Sequence, residues 1–364
     1  MRLVYLLLSP TFGMHQYTAD LANRLVEKND VFLVTTVDYP RDRYSPAISV
    51  RTPLVTSDTG LSLKSFRNIR LAAVMRALED LQPDVVHITG PYLWNVLIVW
   101  RLRRRGIPVI HTLHDLDPHK GVGYGKLLHI WNRLITQSAD KILVHGEVYR
   151  QRLILKGLSA DSVVSTPLLH LFVGFTNQLA ARDAALEVSF DNKILFFGRI
   201  EEYKGVEVLI EAYRLLRSQL DPERIPPVLV LAGTGTLRDG WTAQLPPGIE
   251  WRDHFINDCE ALELFSACSL VVLPYVDGTQ SAIIASAYYF KKPVITTNVG
   301  AFPEYVDQGK TGLIVDPGDP EAICGAFIKM FADESILRTM GSAGRQWYDN
   351  QREMEIISLI NLYG

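Results

Sequence analysis

Short apolar runs alternate with amphipathic stretches from one end of the chain to the other. In the first half, Leu3–Leu8, Val31–Thr36, Val85–Ile88, Pro108–Thr112, Lys141–Val144 and Ser162–Ser165 have the length and near-continuous apolar character of buried strands. Between them, residues 15–28, 63–81, 93–105, 125–138 and 147–155 carry the spacing of helices, and residues 38–62 read as irregular. The second half repeats the alternation. Strands are expected at Ile194–Phe197, Val228–Ala232, Leu270–Leu273, Pro293–Thr297 and Gly312–Val315, with a short edge strand within 249–255. Helices are expected at 206–220, 258–267 and 282–290, near Pro303, and at 320–332 and 335–348, with a last amphipathic segment from Glu353 to Tyr363. Strands apolar on both faces, each followed by a helix, predict parallel sheets covered on both sides.

The densest stretch runs over residues 271–318. A strand ends at Pro274, a polar loop (Tyr275–Ser281) follows, and a small-residue helix starts at Ala282. Open α/β sheets bind ligands at such carboxyl-terminal loops. The sequence Gly278-Thr279-Gln280-Ser281 enters a helix directly, so its N–H groups and the helix dipole favour an anion such as a phosphate. A similar geometry is expected at Gly198-Arg199-Ile200-Glu201-Glu202-Tyr203-Lys204-Gly205, where an Arg and a Lys stand between a strand and a helix. Two cations beside free backbone N–H groups make a diphosphate clamp. Gly13, at the turn after the first strand, occupies the usual position for a close approach by a phosphate or sugar. Gly233-Thr234-Gly235 lacks the acidic residue that a dinucleotide fingerprint requires after the next strand.

With 364 residues the chain is long enough for two domains. Interdomain character falls on the polar, poorly periodic residues 176–191. This divides the chain into 1–175, a linker, and 192–349, with a final helix at 350–364. A net charge of −3 gives no reason to expect nucleic acid as a partner. Cys259, Cys268 and Cys324 have no metal-type spacing and read as buried thiols of a reducing compartment. The N-terminal apolar run is too short for a leader or a spanning helix and reads as the first strand, so the expected location is the cytoplasm or the inner face of a membrane.

His114-Asp115-Leu116-Asp117 follows the end of a buried strand. It can be read as a sugar contact, with His114 bonding a hydroxyl and Asp115 orienting the ring. It can also be read as a divalent-cation site built on Asp115 and Asp117, or as a structural loop. Two basic clusters, Lys64/Arg67/Arg70 and Arg101/Arg103/Arg104/Arg105, stand on helical stretches, the second after Trp94 and Trp100. Such a helix can lie on an anionic membrane, or its cations can simply favour a solvated helix C-terminus.

Several motifs stand in order: Phe197-Gly198-Arg199 with Lys204-Gly205, Gly233 to Leu237, Pro293-Val294-Ile295, Gly300 to Glu304, Gly309 to Val315, and Pro317 to Pro320. Together with Gly13, Thr112 to Asp115 and Val144-His145-Gly146, they resemble glycosyltransferase family 4, the retaining enzymes of GT-B architecture. The resemblance implies two Rossmann-like, doubly wound domains facing a cleft, with a last helix returning to the first domain. It implies a nucleoside-diphosphate-sugar donor on the second domain and a glycan or lipid-linked glycan acceptor on the first, with no cofactor and no metal. Arg199 and Lys204 would stabilise the leaving diphosphate, and His114 would contact the transferred sugar, with Asp115 and His145 beside it. Gly13 and Thr279 to Ser281 would hold donor phosphate and sugar. The family carries two Glu residues separated by seven others. Here the second falls on Ser286 and the first on Gly278 or Asp277, so Ser286 would take only part of the ribose contact.

Overall fold

The computed structural model describes residues 1–9, 12–55, 71–116, 125–172, 188–237, 241 and 245–364. They form two compact units. One takes the described residues up to Thr166 together with Ile356–Gly364, and the other takes Pro167–Glu355.

The first unit is built on a seven-stranded sheet, β1 (Arg2–Leu7), β2 (Asp30–Thr36), β3 (Ser49–Leu54), β4 (Val85–Ile88), β5 (Val109–Thr112), β6 (Lys141–Val144) and β7 (Val163–Ser165), in the order β3-β2-β1-β4-β5-β6-β7. Every pairing is parallel. Residues Leu3 to Leu7 are fully buried, as a central strand of a two-sided sheet requires. Its helices are α1 (Phe12–Leu25), α2 (Leu71–Asp80), α3 (Asn95–Arg104), α4 (Gly125–Ser138) and α5 (Glu147–Leu155). Val74, Leu78, Ile98, Leu102 and Ile135 from α2, α3 and α4 share one core with Val4, Leu6 and Val86 of the sheet.

The second unit carries six parallel strands, β8 (Lys193–Phe197), β9 (Val228–Ala232), β10 (Ile249–Arg252), β11 (Leu270–Leu273), β12 (Val294–Thr297) and β13 (Gly312–Val315), in the order β10-β9-β8-β11-β12-β13. Its helices are α6 (Val206–Gln219), α7 (Asp258–Ala267), α8 (Ala282–Tyr289), α9 (Phe302–Tyr305), α10 (Pro320–Met330) and α11 (Glu334–Tyr363).

In both sheets the chain starts in the middle, moves to one edge, then returns and moves to the other. The reversal falls between β1 and β4 in the first sheet and between β8 and β11 in the second. At such a reversal the flanking loops part, which leaves a crevice at the carboxyl ends of the strands.

Three expectations are corrected. Residues 38–62 are not wholly irregular, because β3 runs through them. Its sequence SVRTPL is largely exposed and holds a Pro, as suits an edge strand, and it carries little apolar signal. The two helices expected after residue 335 are one helix of 30 residues, α11. Its polar middle stays helical because Arg345 pairs with Asp349 and Arg352 with Glu355 at helical spacing. Cys259 is exposed on the first turn of α7, while Cys268 and Cys324 are buried as expected. The basic cluster Lys64/Arg67/Arg70, and residues 176–187 of the expected linker, lie outside the described residues. Residues 188–191 are tied to the second unit through Ser189 N–H to Ser266 O and Asp191 N–H to Ala267 O.

Candidate functional site

In the second unit, the loop after β8 crosses the reversal point and enters α6. Gly205 takes a left-handed conformation (φ +66°), and a β-carbon there would stand 2.0 Å from the Pro274 carbonyl oxygen at the end of β11. Gly233, at φ +140°, lies equally tight against Gly198, its β-carbon 2.3 Å from Gly198 O. Only glycine allows these loops to pack backbone on backbone. Further bonds hold the stack: Gly198 N–H to Ala232 O, Ile200 N–H to Thr234 O, and Val276 N–H to Tyr203 O.

Lys204 is buried in this stack. Its ammonium lies 5.5 Å from the Tyr275 ring centre and 6.0 Å from that of Tyr203. No carboxylate pairs with it among the described residues. A buried cation held only by aromatic rings is a poised partner for an incoming anion. Burial, with Tyr275 and Glu201 nearby, pushes the Tyr203 hydroxyl well above its usual range, so it remains a neutral donor. Arg199 is placed differently. It is exposed, and its guanidinium pairs with Glu201 at 2.8 Å. An exposed pair of this kind contributes only about 0–1 kcal/mol, so a competing anion can displace it.

A cavity of about 180 Å³ opens beside the first turn of α6, walled in part by Glu201, Glu202, Glu207 and Thr236. Carboxylates suit the hydroxyls of a ribose better than a phosphate. Glu201 and Glu202 were not singled out from the sequence, although both stand inside the Gly198-to-Gly205 motif.

The loop after β11 is compact. Asp277 accepts the Gly278 N–H at 2.9 Å, Ala301 N–H donates to Thr279 O at 2.9 Å, and Ser281 caps α8 by accepting from Ile283 N–H. Thr279 and Ser281 are buried, and Gln280 and Asp277 are partly exposed. Ser286 is fully buried, and its hydroxyl accepts the backbone N–H of Phe172 at 3.2 Å.

In the first unit the reversal point gathers histidines. His114 Nε2 lies 2.9 Å from Thr89 O. A carbonyl can only accept, so Nε2 carries the proton and Nδ1 the lone pair. Burial lowers the pKa of His114 and favours this neutral form, while Asp115 acts in the opposite sense. Thr89, at the end of β4, holds the ring through this bond, and Asp115 is an electrostatic neighbour of it. His145 Nδ1 donates to Thr166 O at 3.0 Å, and its ring centre lies 5.2 Å from that of His114. Tyr17 packs edge-on against both imidazoles, at 4.9 and 5.2 Å, and shares a hydrogen bond with Thr112 at 3.2 Å. Behind them, His87 bonds Thr112 and Tyr363, and Tyr363 bonds Tyr5. The last turns of α11 thus anchor in the polar core of the first unit. Tyr17 and Thr89 escaped the sequence reading because a Tyr and a Thr at helix and strand ends carry no motif.

Gly13 stands in the first turn of α1, and a β-carbon there would meet nothing within 4 Å. The fold does not require this glycine, unlike Gly205. The cation-site reading of residues 115–117 is half placed: Asp115 is partly exposed, while Asp117 lies outside the described residues. Among the described residues, no group of three or more His, Cys, Asp or Glu side chains stands together as a metal set.

Comparison with known proteins follows the two units. Residues 12–168 match the profile described as a glycosyl transferase 4-like domain, and residues 191–333 the profile described as glycosyl transferases group 1. A D-inositol 3-phosphate glycosyltransferase of Corynebacterium glutamicum is 26% identical over 288 residues, covering 72% of this chain and 67% of its own length. Its counterpart from Streptomyces avermitilis is 25% identical over 376 residues, covering 91% of this chain and 78% of its own. Among solved structures, Anabaena HepE in complex with UDP-glucose superposes with a TM-score of 0.71 at 15% identity, covering 100% of this chain and 98% of that one. Sucrose-phosphate synthase from Thermosynechococcus elongatus gives 0.73 at 19% identity, covering 99% and 97%. At these identities the structural likeness speaks for the fold. With one profile on each half and a doubly wound parallel sheet in each unit, the chain belongs to glycosyltransferase family 4, the glycosyl transferases group 1 of GT-B architecture.

Proposed function

We propose that this protein is a retaining, metal-independent glycosyltransferase. It moves a hexose-type sugar from a nucleoside-diphosphate sugar to a hydroxyl of a glycan or lipid-linked glycan. The observation that carries the reading is the Lys204 ammonium, buried at the β8–β11 reversal and paired with no carboxylate among the described residues. That HepE was crystallised with UDP and with UDP-glucose supports a nucleoside-diphosphate donor, with UDP-sugars the first to try.

In the proposed reaction the bond from the anomeric carbon to the diphosphate breaks, and the acceptor oxygen attacks from the same face. The acceptor proton passes to the departing phosphate oxygen, which gives a nucleoside diphosphate and a glycoside of unchanged anomeric configuration. Negative charge grows on the diphosphate as the bond breaks. A fixed cation in a water-poor setting stabilises that charge without reorganising, which is the largest single contribution in many enzymes. Lys204 supplies it, and Arg199 adds to it once released from Glu201. The loop Asp277 to Ser281 lies at the neighbouring strand end to hold phosphate and sugar. Glu201 and Glu202 take nucleoside hydroxyls, sharing the task that the family gives to the Glu replaced here by Ser286. In the first unit, His114 offers its Nδ1 lone pair to a sugar hydroxyl, with His145 and Asp115 beside it, and Gly13 leaves room for the donor phosphate. Incubation with a panel of UDP- and GDP-sugars, with and without a chelator, tests the reading through nucleoside diphosphate release. Release that requires an added divalent ion would contradict metal independence.

A second reading, a non-catalytic GT-B subunit that binds glycan or activates a partner enzyme, is favoured by one observation. Ser286 is turned inward to Phe172 rather than left open to a ligand. Calorimetry separates the two, since the catalytic reading requires at least one nucleotide sugar to bind.

A further inference from the structure

We infer that the first unit docks on an anionic phospholipid bilayer through the outward faces of α3, α4 and α5. This goes beyond the catalytic reading and does not depend on it. Strands β4, β5, β6 and β7 are consecutive and parallel in the sheet, so right-handed crossovers set their three connecting helices side by side on one face.

The outer surfaces of these helices are unlike an ordinary solvated face. On α3, Leu97 is 40% exposed and Trp100 49%; on α4, Ile130 is 59% exposed and Leu134 46%; and Leu155 at the end of α5 is 85% exposed. Single exposed apolar residues need no explanation, but these are aligned with cations. Leu97, Trp100, Arg101 and Arg104 fall at i, i+3, i+4 and i+7 of α3, one stripe of a helix. Ile130, Arg133 and Leu134 repeat the pattern on α4, and Lys156 follows Leu155 directly.

The charge pattern singles out the same stripe. Of the run Arg101 to Arg105, Arg103 pairs with Asp140 at 2.9 Å and Arg105 with Glu79 at 2.9 Å. No carboxylate among the described residues pairs with Arg101, Arg104, Arg133 or Lys156, the four cations that accompany the exposed apolar side chains. The Arg104 guanidinium lies 4.1 Å from the centre of the Trp100 ring, which gives an apolar body topped by a cation. Aliphatic and aromatic side chains interleaved with unpaired arginines match the boundary between acyl chains and phosphate head groups.

A cavity of about 390 Å³ between α4 and α5 adds a place for one head group. Asn132, Arg133 and Lys156 line it. Asn132 is buried and donates to Asp115 O and Leu116 O, while its Oδ1 accepts no hydrogen bond among the described residues. A head-group phosphate there would meet Arg133 and Lys156. No helix among the described residues is long and apolar enough to cross a membrane.

Flotation of the full chain with phosphatidylglycerol-containing vesicles tests the inference, with pure phosphatidylcholine vesicles as the second arm. The wild type is expected to float with the anionic vesicles and to be released by raised salt. The variant Arg101→Gln/Arg104→Gln/Arg133→Gln should lose about fivefold in partitioning per cation, on the order of a hundredfold in all. Trp100→Ser/Ile130→Ser, both at exposed positions, should weaken binding with no change in circular dichroism. Failure to float, equal binding to both vesicle types, or unaltered binding of the charge variant would overturn it. So would a concentration-dependent dimer in solution that the same substitutions abolish, because the face would then be covered by a second copy. None of these readings uses a nucleotide sugar, so a failed donor assay leaves the result standing.

Discussion

The Lys204 ammonium lies 2.9 Å from the point where a β-carbon on Gly198 would stand. The glycine that opens the loop after β8 thus keeps clear the space into which the lysine from the loop's far end folds back. Gly198 also sits at φ +122°, outside the range of other residues.

Gly198→Ala is therefore expected to act twice. The backbone strain costs on the order of 1–3 kcal/mol. The methyl group displaces the flexible end of Lys204, which lowers kcat/KM for the donor roughly 10- to 100-fold beyond any loss of folded protein. Steady-state kinetics beside thermal unfolding would show both effects. A variant that melts earlier yet turns over normally would separate the glycine from the lysine.

Ser286→Ala leaves the Phe172 N–H without its acceptor inside the second unit, so stability should fall by about 1–3 kcal/mol. Ser286→Glu, which recreates the family's usual acid, should cost more, because the position has no exposed surface for a carboxylate. Chemical denaturation reads both. A tolerated Glu that also tightens donor binding would mean that this site opens to ligand.

Acid should destabilise the first unit. Burial lowers His15 to about 4, and burial with neighbouring histidines lowers His87 and His111 to about 3. For a base whose folded pKa lies below its unfolded value near 6.5, the unfolded chain binds more protons throughout the interval between them. Stability is thus intact above about pH 6.5 and falls as pH drops toward 4 and then 3, by up to about 1.4 kcal/mol per pH unit for each histidine. His15→Gln should flatten the slope of melting temperature against pH between 6.5 and 4. An equal slope in wild type and variant would contradict the assignment.

Lys292 acts in the same sense over an alkaline window. It is fully buried, donates to Ser189 O and to Ser266 O, and packs its ammonium 4.4 Å from the Phe190 ring. It thereby ties residues 189–190 to the end of α7. Burial lowers its pKa to about 8. Between pH 8 and its ordinary value of 10.5 the unfolded chain holds the extra proton, so this group makes the protein more stable as pH rises. Relative to Lys292→Met, the wild type should gain up to about 1.4 kcal/mol per pH unit from pH 8 to 10. Parallel denaturation profiles would refute it.

Much of this architecture can be read from apolar runs alone. Val85–Ile88, Lys141–Val144, Val228–Ala232, Leu270–Leu273 and Gly312–Val315 are strands with the bounds that their composition suggests, because strands buried on both faces have no polar positions to blur them. Ser49–Leu54 escaped because an exposed edge strand needs no such run. The continuity of α11 escaped because its middle is held by ion pairs, which hydrophobic periodicity does not register. The place of the Lys204 loop between β8 and α6 was legible because Gly198 and Gly205 bracket it after an apolar strand. Thr89 as the partner of His114, and the inward turn of Ser286 to Phe172, were not. Both rest on backbone groups brought near from distant sequence, and a backbone carbonyl or amide has no letter of its own.

The most direct test is donor turnover by Lys204→Ala beside the wild type, with the UDP- or GDP-sugar that the wild type uses best. Loss of one preorganised charge contact at the leaving group is expected to lower kcat by about 100- to 1,000-fold while the melting temperature stays close to that of the wild type. Full turnover by a folded Lys204→Ala would contradict the assignment of the buried ammonium to the departing diphosphate.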